Sequence, residues 1–594
     1  MDVGGERSLG PLPEWDLSDF YESPEAPELA ADLEAAIVEA KRFHVAHAGC
    51  VAKMTGEELG TAVRVYEGIQ ESLSRVVSYA TLRYAADVSD SARGKFLQDI
   101  QEKTNAIGTE LLFFTLEINR FSDEVLTEKM CESSLSHYEP WLKDIRLFRD
   151  HQLSNDLERL FHEKHLSSRA AWTRLFDETM AALRFSICGK ELTETEALDL
   201  LSSPDGALRK SAAKVLSEVF SKNIQLFALI TNTLVKDKTI EDAWRKFQKP
   251  ISARNLENQV EDVVVNALAD AVRGAYPKLA HRYYAWKARL FEVDKLDYWD
   301  RNAPLPGEEE RFIPWEEATT IVLEAYASFT PEMANVAKHF FDEAWIDANP
   351  RPGKASGAFA HPTVPSHHPY LLLNYQGKTR DIMTLAHELG HGIHQVLAAK
   401  NGLLLSETPL TLAETASVFG EMLTFKQLLR SEKDPRGRRN LLAAKVEDML
   451  NTVVRQIAFH SFEERVHDER SAGELSADRL SEIWVETQAE SLGPAIRLDE
   501  DYRAFWAYIP HFIHSPFYVY AYAFGDCLVN SLYATYEQAE AGFAEKYLDM
   551  LRAGGTRRHK ELLAPFGLDA SNATFWGHGL SVIARMIDEL ESLS

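Results

Sequence analysis

Residues 56–83 read GEELGTAVRVYEGIQESLSRVVSYATLR, and within them Leu59, Val63, Tyr66, Ile69, Leu73, Val76 and Ala80 recur at three- and four-residue steps. Such steps put apolar side chains on one stripe of an α-helix and leave Arg and Glu the other faces. The same period runs through 25–48, 90–118, 155–185, 207–236, 257–291, 316–344, 440–466 and 525–552. Thirty glycines and 23 prolines among 594 residues gather in a few places, so long helices go uninterrupted and the fold class is mainly α. Residues 355–375, ASGAFAHPTVPSHHPYLLLNY, break the period and read as one or two short strands joined by a turn. A looser change at 186–206, SICGKELTETEALDLLSSPDG, marks the expected boundary between a 1–195 N-terminal helical region and a second region, 196–594.

The composition excludes several classes of function. With 45% hydrophobic residues the chain has the material for a large core, which argues against general disorder. The formal charge of −27 disfavours nucleic acid and anionic membrane, both of which need a clustered positive field. Cys50, Cys131, Cys188 and Cys527 form neither a CxxC metal site nor a disulfide framework. The start MDVGGERSLGPLPEWDLSDF has no basic and apolar leader, and no stretch nears eighteen uncharged apolar residues, so the expected location is the cytoplasm.

The chemistry is concentrated at 381–397, DIMTLAHELGHGIHQVL, where His387, Glu388 and His391 form H-E-x-x-H. Two imidazoles four residues apart on a helix reach one metal ion, and Glu388 stands to the side, where a general base can take a proton from metal-activated water. The pattern arises by chance in roughly 4% of chains this long, so its context matters. That context is apolar: Ile382, Met383, Leu385 and Ala386 precede it, and Ile393, Val396 and Leu397 follow. A buried charged Glu388 beside two histidines is costly without a purpose.

A catalytic zinc needs a third protein ligand and an open position. Leu397 occupies the position where a metzincin would carry a third His, and His394 lies one turn further along the same helix, better suited to packing or to supporting a ligand. Downstream, 406–425 read SETPLTLAETASVFGEMLTF: Thr408 and Pro409 mark a turn, then a helix carries Glu414 and Glu421 two turns apart. Glu414, inside the helix, is preferred as ligand over Glu407 in the turn. Glu421 is either a partner to a ligand histidine or an ordinary helix carboxylate.

Two further segments stay open on the residues alone. SGAFA at 356–360 is either a Gly turn or a strand edge whose Gly357 and Ala358 backbone groups pair with an extended peptide. PHFIHSPFYVYAYAFG at 510–525 holds His511, His514, Tyr518, Tyr520 and Tyr522, which are either an aromatic core stripe or donors to a developing oxyanion.

HELGHGIHQ followed by TPLTLAETASVFGE resembles the M3 family of zinc metallopeptidases, most closely its oligoendopeptidase F branch. WDLSDFY at 15–21, DIRLFRDHQLS at 144–154, LDYWDRNAPL at 296–305, GKASGAFA at 353–360, HPYLLLNYQG at 368–377 and IPHFIHSPFYVYAYAFG at 509–525 are similar to it too, so the resemblance spans nearly the whole chain. It implies a two-lobed helical ellipsoid with a deep substrate channel and a small β element before the zinc-binding helix. It also implies one Zn2+ per chain on His387, His391 and Glu414, with Glu388 as base. His511, Tyr518 and Tyr522 become the oxyanion donors, while Gly357, Ala358, His514 and Tyr520 become substrate contacts.

The function expected is hydrolysis of internal bonds in oligopeptides, with no nucleic acid or membrane partner. The rival readings are a metallocarboxypeptidase on a related helical body and a peptide-binding scaffold without turnover.

Overall fold

The structure, a computed structural model, describes residues 8–165, 167–307, 311–538 and 542–593. Its long helices include, in chain order, α1 (Pro27–His47), α2 (Gly56–Ala86), α3 (Ser91–Ile118), α4 (Gly206–Trp244), α5 (Trp315–Phe329), α6 (Thr379–Ala398), α7 (Leu410–Ser431), α8 (Arg455–Ala472), α9 (Tyr520–Glu537) and α10 (Ala573–Ser592). The strands are short: β1 (Phe185–Ile187), β2 (Lys190–Leu192), β3 (Leu296–Asp297), β4 (Ile346–Asp347), β5 (Phe359–His361), β6 (Tyr370–Leu372) and β7 (Ile496–Arg497). The chain is mainly helical, as its periodicity predicts.

The chain forms two compact units, each assembled from three separate segments. The first comprises Met1–Arg149, Glu310–Ser431 and Ala539–Phe566, and the second Asp150–Glu309, Glu432–Gln538 and Gly567–Ser594. Position 195 lies inside the second unit, and the stretch 1–195 contributes to both.

In the first unit α2 follows its sequence pattern closely. Thr55 caps it, accepting the Glu58 amide while Glu58 reaches back to the Thr55 amide. Leu59, Val63, Ile69, Leu73, Val76 and Ala80 are buried against α1 and α3, and Tyr66 packs at their margin. Each large aliphatic side chain buried this way contributes about 1.5–3 kcal/mol. A three-stranded sheet in the order β4-β6-β5 precedes α6, with β4 parallel and β5 antiparallel to β6. The second unit packs α4, α8, α9 and α10 around Trp286, Trp484 and Trp576, all nearly inaccessible to solvent.

Several expected helices are divided. Residues 257–291 break at Tyr276–Lys278 and 316–344 break at Thr330, because Pro277 and Pro331 lack the amide and the room to continue a helix and start the next segment instead. Residues 155–185 divide into Asn155–His165 and Arg169–Ala182 before entering β1. Residues 440–466 contain a π-helical turn at Leu450–Val454, and the expected 525–552 helix divides into α9 and Phe543–Arg552. Strand is not confined to 355–375. β1 and β2 form a hairpin whose two turn residues, Cys188 and Gly189, have φ of 51° and 77°, the geometry of a tight turn matching strand twist.

Among the described residues, no helix is long and apolar enough to cross a membrane.

Candidate active site

α6 begins where Asp381 accepts the amides of Gln376 and Lys378, and it runs uninterrupted through His387, Glu388 and His391. Its apolar face is buried at Ile382, Leu385, Ala386, Leu389 and Ile393. Tyr326, buried on α5, donates a 2.6 Å hydrogen bond to the Ala386 carbonyl and fixes the helix one residue before the first histidine. Gly390 lets α7 approach closely, since its missing Cβ would fall on the α7 backbone at Ala416 and Ser417.

That crossing delivers Glu414. Its Oε2 stands 3.4 Å from His387 Nε2 and 3.5 Å from His391 Nε2. These separations exceed good hydrogen bonds, which lie near 2.7–2.9 Å for such pairs. They equal the edges of a tetrahedron around zinc, about 3.3–3.6 Å for ligand bonds of about 2.0–2.2 Å. The outer partners are also present. His387 Nδ1 faces Glu421 Oε2 at 3.4 Å, and Ser417 Oγ donates to Glu414 Oε2 at 2.7 Å.

The electrostatics ask for a cation. Burial alone would lower the His387 imidazole, yet Glu421, Glu414 and Glu388 raise it to about 9. Burial lowers His391 to about 4, keeping it neutral as a ligand must be. Glu388 is 8% exposed, and burial pushes its carboxyl up to about 7 against the opposing pull of His387. The donor set, its spacing and its excess of carboxylate fit one zinc ion.

A second cluster, Asp19 with His367 and His368, looks similar in composition but differs in geometry. Asp19 Oδ2 lies 2.6 Å from His368 Nε2 and Asp19 Oδ1 accepts the Tyr370 hydroxyl at 2.7 Å. The shorter distance is a hydrogen bond. The cluster clasps the WDLSDFY segment to β6.

The backbone amide of Ala360 on β5 faces the Glu388 carboxyl and opposes the upward push of burial. Leu371 and Leu373 donate to the carbonyls of Trp345 and Asp347, so Leu371 turns its amide away from β5. Ala360, registered opposite Leu371, therefore turns its own amide and carbonyl to the free edge of the sheet, and Ala358 shares that side by the two-residue period. Ala360 is a site residue the sequence reading missed. Extending the period from Ala358 would have found it. Gly357, at φ +78°, has its carbonyl occupied by Asn374 Nδ2 at 2.9 Å.

His394 lies apart from the ligand cluster, 6% exposed, with its Nε2 3.2 Å from the Thr408 hydroxyl. Both residues line a cavity of about 400 Å³ that begins at His391 and has Val364, Pro365 and Leu403 among its walls.

In the second unit His511 Nε2 lies 3.2 Å from Tyr522 Oη, and the Tyr518 ring centroid is 5.2 Å from that of Tyr522. These three converge. Tyr518 does so from the turn before α9, not from the helix itself. Two of the expected substrate contacts do not join them. Tyr520 is fully buried with its hydroxyl accepting Asn258 Nδ2 at 2.8 Å, which makes it a core residue. His514 pairs with Asp177 at 2.8 Å.

A model of peptidase family M3 matches residues 199–581, and a model of oligopeptidase F matches residues 117–185. The chain is 26% identical over 594 residues to an oligoendopeptidase F homolog of Lactococcus lactis subsp. lactis (strain IL1403), covering 98% of this chain and 97% of the relative. It is 25% identical over 562 residues to oligopeptidase PepF of Bacillus subtilis (strain 168), covering 91% and 83%. Among solved structures, a Chlamydophila abortus protein described as a candidate peptidase superposes with TM-score 0.88 at 22% identity, covering 99% of each chain. An oligoendopeptidase F of Enterococcus faecium does so with TM-score 0.70 at 24% identity, covering 97% of this chain and 99% of that one.

Proposed function

This chain belongs to peptidase family M3 and is a metalloendopeptidase of oligopeptides, and we propose that it works with one zinc ion held by His387, His391 and Glu414. The observation that carries the metal assignment is the equal spacing of Glu414 Oε2 from the two Nε2 atoms, 3.4 and 3.5 Å. When bound, zinc supplies a Lewis acid that polarises the scissile carbonyl and lowers the pKa of a water to about 7.

The chain's own groups do the rest. Glu388, which faces the Ala360 amide, takes the proton of the attacking water and hands it to the leaving amine. The Ala360 carbonyl and the Ala358 backbone form a strand edge on which an extended peptide pairs, with Gly357 in the bend that leads into it. His511, Tyr518 and Tyr522 donate N–H and O–H groups to the oxygen that becomes negative during attack. Glu421 orients His387 as a ligand. Short peptides are the substrates, and neither nucleic acid nor membrane is a partner. The cytoplasm is the compartment we assign, which suits four cysteines that are all unpaired.

The test is Glu388→Gln. It should lower kcat by about 10²–10⁴-fold while zinc content stays at one per chain. Full activity in metal-loaded E388Q protein overturns the assignment of the base. A peptide blocked at both ends and cut internally separates this enzyme from a carboxypeptidase, which needs a free carboxyl end.

A further inference from the structure

Phe517 sits in the turn between His511 and Tyr522 with φ at +59° and its side chain 1% exposed. A bulky residue in the left-handed region is strained and persists only where its surroundings enforce it. The enforcing contact is on α8. The Phe517 amide donates a 2.8 Å hydrogen bond to Glu463 Oε1.

Glu463 is itself a liability. It is 3% exposed, its Oε2 has no hydrogen-bond partner among the described residues, and burial pushes its carboxyl up to about 8. One turn along α8, His467 Nδ1 is buried and unpartnered as well, and the His467 ring packs 4.7 Å from that of Phe517. A buried carboxyl with an orphaned oxygen subtracts from stability. Its value must lie in what it holds.

The held segment is short. Arg254 Nε donates to the Pro516 carbonyl at 3.2 Å, with its guanidinium 5.7 Å from the centre of the Tyr518 ring, and Asn258 holds the Tyr520 hydroxyl. Tyr518 thus lies between pinned neighbours, and Tyr522 follows half a turn after the next pin.

We infer that Glu463 is a positioning residue for the oxyanion donors: by accepting the Phe517 amide it holds the left-handed turn that sets Tyr518 and Tyr522 against His511. The inference rests on reading those three residues as donors. A carboxamide keeps an acceptor oxygen for the Phe517 amide, so Glu463→Gln preserves the turn. Glu463→Leu removes the acceptor, and Glu463→Asp withdraws it by one methylene.

The experiment compares kcat, KM, zinc content and thermal stability for E463Q, E463L, E463D and Y518F/Y522F, and for E463L combined with Y518F/Y522F. Loss of one positioning hydrogen bond should lower kcat about tenfold in E463L and E463D, with KM within about threefold and zinc unchanged, while E463Q stays within about threefold of wild type. In the Y518F/Y522F background the same E463L change should cost less than about twofold, because the groups it positions are gone. Wild-type kcat in E463D or E463L, equal damage in E463Q, or an undiminished E463L effect in the tyrosine-less background overturns the proposal. Should E463L fail to fold, E463D and E463Q decide. Wild-type activity in Y518F/Y522F strikes the donor assignment itself, whereas impaired Y518F/Y522F with active E463L and E463D strikes only the role of Glu463.

Discussion

A Cβ placed on Gly390 would stand 2.5 Å from the carbonyl oxygen of Ala416. The contact is backbone against backbone, so no side chain can yield. Gly390→Ala must push α6 and α7 apart, and the two ligand histidines are on one helix while Glu414 is on the other. We expect a stability loss of about 1–3 kcal/mol from overpacking and zinc affinity weaker by about tenfold or more. Competition with a chromogenic chelator, alongside urea unfolding of the metal-free protein, measures both. Unchanged affinity would show that the crossing does not set the ligand geometry.

Glu421 meets the ligand His387 at Nδ1, at 3.4 Å. Glu421→Ala should weaken zinc binding by about 10–100-fold, yet at saturating zinc its kcat should recover most of the wild-type value. The contrast with Glu388→Gln, which keeps zinc and loses turnover, distinguishes a residue that orients a ligand from one that moves a proton. Equal behaviour of the two variants would merge the roles assigned to them.

The helical body and the close pairing of His387 with His391 were legible because both depend on spacing along one element. His387 and His391 are four apart, and the α2 stripe repeats through Leu59, Val63 and Leu73. The helix breaks were not, since Pro277 and Pro331 begin new helices without disturbing the apolar period on either side. Ala360 acts through its backbone, so its role emerges only from the register of β5 against β6. Tyr520 illustrates the opposite error. Its neighbours Tyr518 and Tyr522 share its composition, and only a distant partner, Asn258, marks it as core.

Asp19 makes a prediction about acid stability. Burial alone would raise its carboxyl, but His367, His368 and Tyr370 outweigh that and hold it well below the usual carboxylate range. A carboxyl depressed in the folded state stabilises the protein above its unfolded pKa near 4 and loses that contribution as pH falls toward the folded value. Asp19→Asn should therefore lower the melting temperature at pH 7, and the difference from wild type should shrink as pH drops below about 4. A difference that stays constant down to pH 3 would mean the clasp works by shape and not by charge.

Lys354 and Asp347 form the buried ion pair beneath the sheet. Both side chains are fully buried, and Lys354 Nζ donates to Asp347 Oδ1 at 2.8 Å, to the Leu373 carbonyl at 2.6 Å and to the Asn349 carbonyl at 3.1 Å. Arg351 also binds Asp347, at 2.7 Å, and the Asn349 carbonyl, at 3.3 Å, and Leu373 takes its contact from Lys354. Lys354→Met removes the Nζ donor from the Leu373 carbonyl and leaves one side of the Asp347 carboxylate without its cation, and breaking such a pair costs about 3–5 kcal/mol. The loss should reach the enzyme as well. Asp347 and Leu373 belong to the β4–β6 pairing that carries β5, and β5 carries the Ala360 amide that faces Glu388. Urea unfolding should show the destabilisation, and KM for an oligopeptide should rise before folding is lost, since the strand edge is the peptide-pairing surface. A Lys354→Met variant with wild-type KM and lowered stability would separate the ion pair from that surface and confine its role to the fold.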